Sequence, residues 1–165
     1  LKGFLSMLTL QFPSGTQGHQ IDGFARRALW DLGLDFDHGT GHGVGHQLLI
    51  HEAPHRIAKK VNPWPLVAGN IITIEPGYYL ADQYGIRIEN QVEVVASIPG
   101  FCRFSTLTLI PIDVSQVELH LLSDQELQWL DEYHQQVRET LSPLVDSEAR
   151  PWLFAATAPV RVQVN

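Results

Sequence analysis

The chain reads as an α+β protein with a largely antiparallel sheet and flanking helices. Three observations predict this. Apolar residues recur at helical spacing over 21–32 and again from Asp124 to about Leu144, short β-branched runs lie between them, and glycine and proline clusters separate those runs. The order helix, strands, helix belongs to an α+β layer arrangement.

The elements follow in turn. The opening LKGFLSMLTL is apolar but has no small-residue cleavage site, and the polar stretch after it fits a helix-to-loop transition better than a signal peptide. Residues 21–32 place Phe24, Ala28, Leu29 and Leu32 on one helical face, with Asp22 as the expected N-cap and Gly33 as the left-handed exit. Glycine then fills every second position from Gly39 to Gly45. A helix is excluded there, since each interior glycine costs about 1 kcal/mol relative to alanine. Extended or looping backbone is expected instead, feeding a short strand around Gln47–Ile50. Residues 52–70, with Pro54, Pro63, Pro65 and Gly69, read as a surface loop.

Strands are expected at Ile71–Ile74, Tyr78–Leu80 and, longer, Ile86–Val95, with ADQYG joining the last two as a hairpin. Another is expected at Ser105–Ile112. The helix from Asp124 carries Leu127, Leu130, Val137 and Leu141 on its apolar side. Residues 146–165 form a C-terminal tail, unassigned from Pro151 onward. The 165 residues are expected to form one domain, with no second.

Composition narrows the classes of function. A formal net charge of −7 opposes nonspecific binding to nucleic acid, and Arg26-Arg27 and Lys59-Lys60 are isolated basic pairs. No apolar run is long enough for a membrane-spanning helix, so no membrane partner is expected. The single cysteine, Cys102, excludes an internal disulfide, suits a reducing cytoplasm and reads as a buried apolar filler. The chain opens with Leu rather than Met, which points to an N-terminus upstream.

Five of the eight histidines fall between His38 and His55 in the glycine-rich segment. Two carboxylates follow inside apolar strands, Glu75 in IITIEPGYY and Glu89 in GIRIENQVEV. Buried carboxylates are costly unless paired, hydrogen-bonded or bound to metal. Glu75 stands just before Pro-Gly, where a strand ends and its side chain can be aimed. Glu89 shares strand parity with Arg87, so an ordinary ion pair between them is one reading. His38 and His42 are four apart, but the glycines exclude a helical zinc site; on extended backbone both rings share a face.

HGTGHGVG, HEAP, TIEPGYY and GIRIEN, in this order, resemble the catalytic domain of Xaa-Pro aminopeptidases. These are pita-bread metallopeptidases, alongside prolidase and methionine aminopeptidase, and GTQGHQIDGFARRALWDLGLDFDHGTGHGVG is similar to the longer, multi-domain aminopeptidase P proteins. The resemblance runs from about Gly15 to Tyr133. It implies that residues 1–145 are the C-terminal portion of one pita-bread catalytic domain. It also implies two divalent metal ions, Mn²⁺ first and Co²⁺, Zn²⁺ or Fe²⁺ otherwise, held by two Asp, one His and two Glu.

By this resemblance His42, Glu75 and Glu89 are metal ligands, His38 and His51 bind substrate and shuttle protons, and Arg87 and Tyr79 orient the ligands. The activity implied is release of the first residue from peptides with proline second, by attack of a metal-bridging hydroxide. The family's larger members imply a homodimer.

The match also departs from the family. The two Asp ligands belong upstream, in the missing N-terminal part of the domain. Asp22 falls in a helix, and Asp31, Asp35 and Asp37 come out of order. This chain alone is therefore expected to bind metal weakly and to show little peptidase activity. His46 stands where the family commonly has a small residue, Ala53 where glycine is frequent, and Ile74 where Asp or Asn is common. The competing readings are a non-catalytic pita-bread binding module and a prolidase-like dipeptidase. The first is opposed by the retention of His42, Glu75 and Glu89, the second by the similarity to the long family members.

Overall fold

The computed structural model describes residues 1–47 and 49–161. The chain forms two compact units, Leu1–Thr108 and the stretch from Leu109 onward.

In the first unit, helices α1 (Lys2–Leu8) and α2 (Gly18–Trp30) pack on each other and contact the sheet, α1 through β4 and β8 and α2 through β3. The sheet strands are β1 (Gln11–Pro13), β2 (Gly41–Gly43), β3 (Glu52–Ile57), β4 (Ile71–Ile74), β7 (Asn90–Ala96) and β8 (Phe101–Thr106). They run antiparallel in the order β1-β8-β7-β4-β2-β3, as the predicted fold class requires. Strands β5 (Gly77–Leu80) and β6 (Tyr84–Arg87) form a separate two-stranded ribbon, closed by the expected hairpin.

Strand β7 alternates as a half-buried strand should, with Asn90, Val92 and Val94 inward and Gln91 outward. Strand β4, flanked by β7 and β2, is buried on both faces through Ile72, Thr73 and Ile74. Together with Phe4 and Leu5 of α1 these side chains form the core, each fully buried apolar one stabilising the fold by about 1.5–3 kcal/mol. Cys102 is free and buried, as expected.

Several expectations are corrected. Helix α2 starts earlier, with Gln17 as N-cap, and the Gln20 side chain accepts the Gln17 N–H at 2.7 Å. Asp22 is thus inside the helix and buried. The buried face is Ile21, Asp22, Ala25 and Arg26, whereas Phe24 and Leu32 are exposed. The ion pair of Asp22 with Arg26, 2.6 Å apart, lets a charged face go inside. Gly33 does take the left-handed conformation, with φ of 71°.

Residues 47, 49 and 50 are turn or irregular backbone rather than strand, and Leu48 lies outside the described residues. Part of the expected 52–70 loop is strand β3. It lies at the edge of the sheet, where a proline such as Pro54 is tolerated because no ladder bond is lost on the open side. The long strand at 86–95 is broken at Ile88 and Glu89, where the chain leaves the ribbon and enters the main sheet. Strand β8 begins earlier than expected and its ladder ends at Thr106, opposite Val92.

In the second unit, α3 (Asp124–Leu141) is capped by Ser123, whose Oγ accepts the Glu126 N–H while the Glu126 carboxylate accepts the Ser123 N–H at 2.8 Å. Its buried side holds the expected Leu127, Leu130 and Val137, joined by Tyr133 and His134; Leu141 is half-buried. Helix α4 (Ala149–Ala156) occupies the unassigned tail, of which residues 162–165 lie outside the described residues. Arg138 donates to the Thr157 carbonyl at 2.9 Å, and Asp131 accepts the Val160 N–H at 2.6 Å, tying the exit of α4 to α3. Among the described residues no helix is long and apolar enough to cross a membrane.

Candidate metal centre

Strand β2 brings His42 to the site, the end of β4 brings Glu75, and the crossing from β6 to β7 brings Glu89. The glycines make room for this. A Cβ at Gly41 would run into the Thr73 carbonyl, and one at Gly43 into the Glu52 carbonyl, so β2 lies pressed between β4 and β3 with His42 as its one side chain. The Glu75 N–H donates to the Thr40 carbonyl at 2.7 Å, which carries Glu75 back toward β2. The Thr73 hydroxyl accepts the His42 N–H at 3.0 Å and donates to Glu75 Oε1 at 3.3 Å, linking both ligand candidates to one strand.

The protonation pattern can be read from the partners. A carbonyl oxygen only accepts, so His42 Nδ1–H donates to the Gly43 carbonyl at 2.8 Å, and in the neutral ring Nε2 carries a lone pair. That nitrogen lies 3.4 Å from Glu75 Oε1. One ligand atom each from His42, Glu75 and Glu89 falls within 4.8 Å of the other two. Among the described residues this is the one group of three or more His, Cys, Asp or Glu side chains so arranged. Three groups that can each offer a lone pair converge, an arrangement that suits a divalent cation with oxygen and imidazole ligands. The residues present therefore fit a metal ion.

Glu75 is buried at 8% exposure, whereas Glu89 is exposed, which corrects the expectation that both lie inside apolar strands. The break at Ile88 and Glu89 turns Glu89 out of any ladder. Arg87 pairs with Glu75 rather than Glu89, Nη1 donating to Oε2 at 3.1 Å. Its Nε donates to the Tyr79 oxygen at 2.7 Å. That hydrogen bond, with the charges of Glu75 and Glu89 behind it, holds the guanidinium above its already high ordinary value against the opposing effect of burial.

His38 stands apart from His42 and joins the ribbon. Its Nδ1–H donates to the Gly39 carbonyl at 2.8 Å, so Nε2 accepts from the Tyr79 hydroxyl, also at 2.8 Å. Arg87, Tyr79 and His38 thus form one directed chain of hydrogen bonds. The His51 ring lies against that of His42, with centroids 4.2 Å apart. A cleft of about 420 Å³ is lined by His38, His42, His51, Glu75 and Arg87, together with residues of β3. His55 borders it too, and burial pushes its imidazole below the ordinary range, toward the neutral form.

One structural feature was missed by sequence reasoning. The fully buried Arg26 donates to Asp22, to Asp35 at 2.7 Å, to the carbonyl of Phe36 and to that of His38 at 2.8 Å, with its guanidinium 3.8 Å from the Phe36 ring centre. Asp22 also accepts the Thr40 hydroxyl at 2.6 Å. Helix α2 therefore clamps the segment that carries His38, and the signal was the i, i+4 spacing of Asp22 and Arg26. Burial raises the Asp35 carboxyl, but hydrogen bonds from Lys59 and Arg26 outweigh it and hold Asp35 well below the usual carboxylate range. Of the sequence departures, Ala53 lines the cleft, His46 is exposed in a turn and Ile74 is buried in β4.

Comparison with known proteins agrees with this architecture. The pattern of metallopeptidase family M24 matches residues 1–96, and that of the C-terminal region of peptidase M24 matches residues 100–160. The chain is 45% identical to the probable Xaa-Pro aminopeptidase P of Laccaria bicolor, covering 97% of this chain and 27% of that protein. It is 44% identical to aminopeptidase P2 of Arabidopsis thaliana, over 97% of this chain and 24% of that protein. The crystal structure of X-prolyl aminopeptidase from Caenorhabditis elegans, described as a cytosolic enzyme with a di-nuclear active site, superposes with a TM-score of 0.89 at 42% identity. That match covers 96% of this chain and 27% of the other. Prolidase from Pyrococcus furiosus is more distant, with a TM-score of 0.54 at 32% identity over 64% of this chain and 29% of that one. The chain thus spans about a quarter of the length of the relatives it matches, and the pita-bread fold implied by its motifs is borne out. On the span of the family pattern, this chain belongs to metallopeptidase family M24.

Proposed function

We propose that this chain supplies one wall of the catalytic site of an Xaa-Pro aminopeptidase, holding divalent metal through His42, Glu75 and Glu89. The observation that carries the reading is the convergence of one ligand atom each from His42, Glu75 and Glu89 within 4.8 Å of one another, with Glu75 buried. Two ions, as in the nematode relative, fit a carboxylate-rich donor set of the kind Mn²⁺ favours, completed by carboxylates from outside this chain. When bound, such ions supply Lewis-acid polarisation of a peptide carbonyl and an activated water.

This chain's own residues do the rest. Arg87 neutralises Glu75 and fixes its rotamer. The Tyr79 hydroxyl accepts from Arg87 and donates to His38 Nε2, orienting that ring to handle protons at the cleft. His51 flanks His42 and faces the substrate across the cleft. The Gly43 carbonyl holds the proton of His42 on Nδ1, leaving Nε2 to face the cation. With three donors from its own residues, the chain by itself binds metal weakly and turns over little substrate. A cytoplasmic setting agrees with the cytosolic nematode relative and with the free Cys102.

Calorimetric titration with Mn²⁺ tests the proposal. Wild type should bind saturably, and His42→Ala or Glu75→Gln should weaken binding by about 10- to 100-fold. Identical isotherms for wild type and both variants would sink it.

A further inference from the structure

We propose that Arg56 binds the C-terminal carboxylate of a short peptide substrate and so tunes the enzyme toward tripeptides; this rests on the aminopeptidase reading above. Arg56 is the cross-strand partner of His42 in the β2–β3 pair, so both side chains stand on the same sheet face. Both line the same cleft, and the Arg56 side chain is exposed within reach of solvent. Its Nε lies 3.4 Å from the point a Cβ on Gly39 would occupy, so the side chain crosses over bare backbone in the cleft wall.

The cleft has two guanidinium groups, and they differ in commitment. Arg87 is held by Glu75 and Tyr79. Among the described residues Arg56 has no carboxylate within 4.0 Å and no side-chain hydrogen bond, in a protein whose formal net charge is −7. Beside it His55 is pushed toward the neutral form by burial, so Arg56 remains the uncommitted positive charge at this end of the cleft. A guanidinium is a planar fork that pairs with a carboxylate through two parallel hydrogen bonds.

Length fits as well. In Xaa-Pro-Yaa the terminal carboxylate lies two residues beyond the scissile bond, about 7 Å in extended form. Facing Cβ atoms of a cross-strand pair are about 5 Å apart, and the arginine side chain spans the remainder.

The test uses an Ala-Pro-Ala analogue whose first peptide bond is reduced to an amine, as the free acid and as the C-terminal amide. Each is titrated into the Mn²⁺-loaded protein, with the upstream part of the domain from a relative supplied in trans. Wild type should bind the acid about 10-fold more tightly than the amide. Arg56→Gln should erase that preference by weakening the acid alone, and Arg56→Lys should restore part of it. Equal weakening of acid and amide, or a preference that survives in Arg56→Gln, overturns the inference while leaving the aminopeptidase reading in place. Failure of wild type to bind either form removes both.

Discussion

Helices α2 and α3 are both amphipathic, yet α2 carries an ion pair on its buried face. Helix α3 hides Leu127, Leu130 and Val137 and leaves Gln125, Glu132, Gln135 and Glu139 in water. Helix α2 hides Asp22 and Arg26 and leaves Phe24 and Trp30 nearly half exposed, at 47% and 45%. The difference lies in what each helix does. Helix α3 stabilises its unit by apolar burial, which is non-directional. Helix α2 holds a specific loop, and that takes donors aimed at the carbonyls of Phe36 and His38. Apolar contact cannot specify such a geometry, whereas a guanidinium with every side paired can.

The largest test of this contrast is Arg26→Met. It leaves Asp22 buried beside the Thr40 hydroxyl without its counter-charge and should destabilise the protein by about 3–5 kcal/mol in urea unfolding. The double variant Asp22→Leu/Arg26→Met should recover much of that stability but not the position of His38. Full recovery of His38, followed by its imidazole NMR signals, would show that the network serves stability alone.

A smaller effect is expected from the polar residue on the buried side of α3. His134 is fully buried; Nε2 accepts the Ile112 N–H at 3.1 Å, while Nδ1 has no partner among the described residues. Burial lowers its ionisation below the ordinary value, with nearby Asp131 opposing and Arg138 assisting. The unfolded chain then binds the proton more readily than the folded one. Stability is fully present above the unfolded value of 6.5 and falls as pH drops below it toward the folded value. Thermal unfolding from pH 7.5 to 5 should show this slope, and His134→Phe should flatten it. An unchanged slope would show that His134 does not titrate in this range.

The smallest change should come from the exposed apolar side of α2. Phe24→Ser should alter stability by no more than about 0.5 kcal/mol, as for a surface position. A loss above about 2 kcal/mol would show that Phe24 is covered in solution and would narrow the contrast between the two helices.

The same contrast explains what the sequence made legible. Pattern reading assigns apolar residues to the inside, so it placed Leu127, Leu130 and Val137 of α3 and failed on α2, where Asp22 and Arg26 share the inward face with Ile21 and Ala25. Strand β4 was visible because it is all β-branched, and β7 because Val92 and Val94 alternate with polar neighbours. Strand β3 was hidden by Pro54, whose cost vanishes at a sheet edge. The meeting of His42, Glu75 and Glu89 could be foreseen from ordered motifs. The pairing of Arg87 with Glu75 could not, because it depends on a ribbon leaving the sheet between residues 87 and 90, an event without a local sequence mark.

That departure has a further consequence. Glu75 ends a strand of the main sheet, whereas Glu89 sits at the seam where ribbon and sheet part. The two acids therefore stand on either side of the point where ribbon and sheet separate, and His38 is moored to the same ribbon through Tyr79. The spacing of the two acids and the placing of the His38 ring are thereby coupled through one two-stranded ribbon.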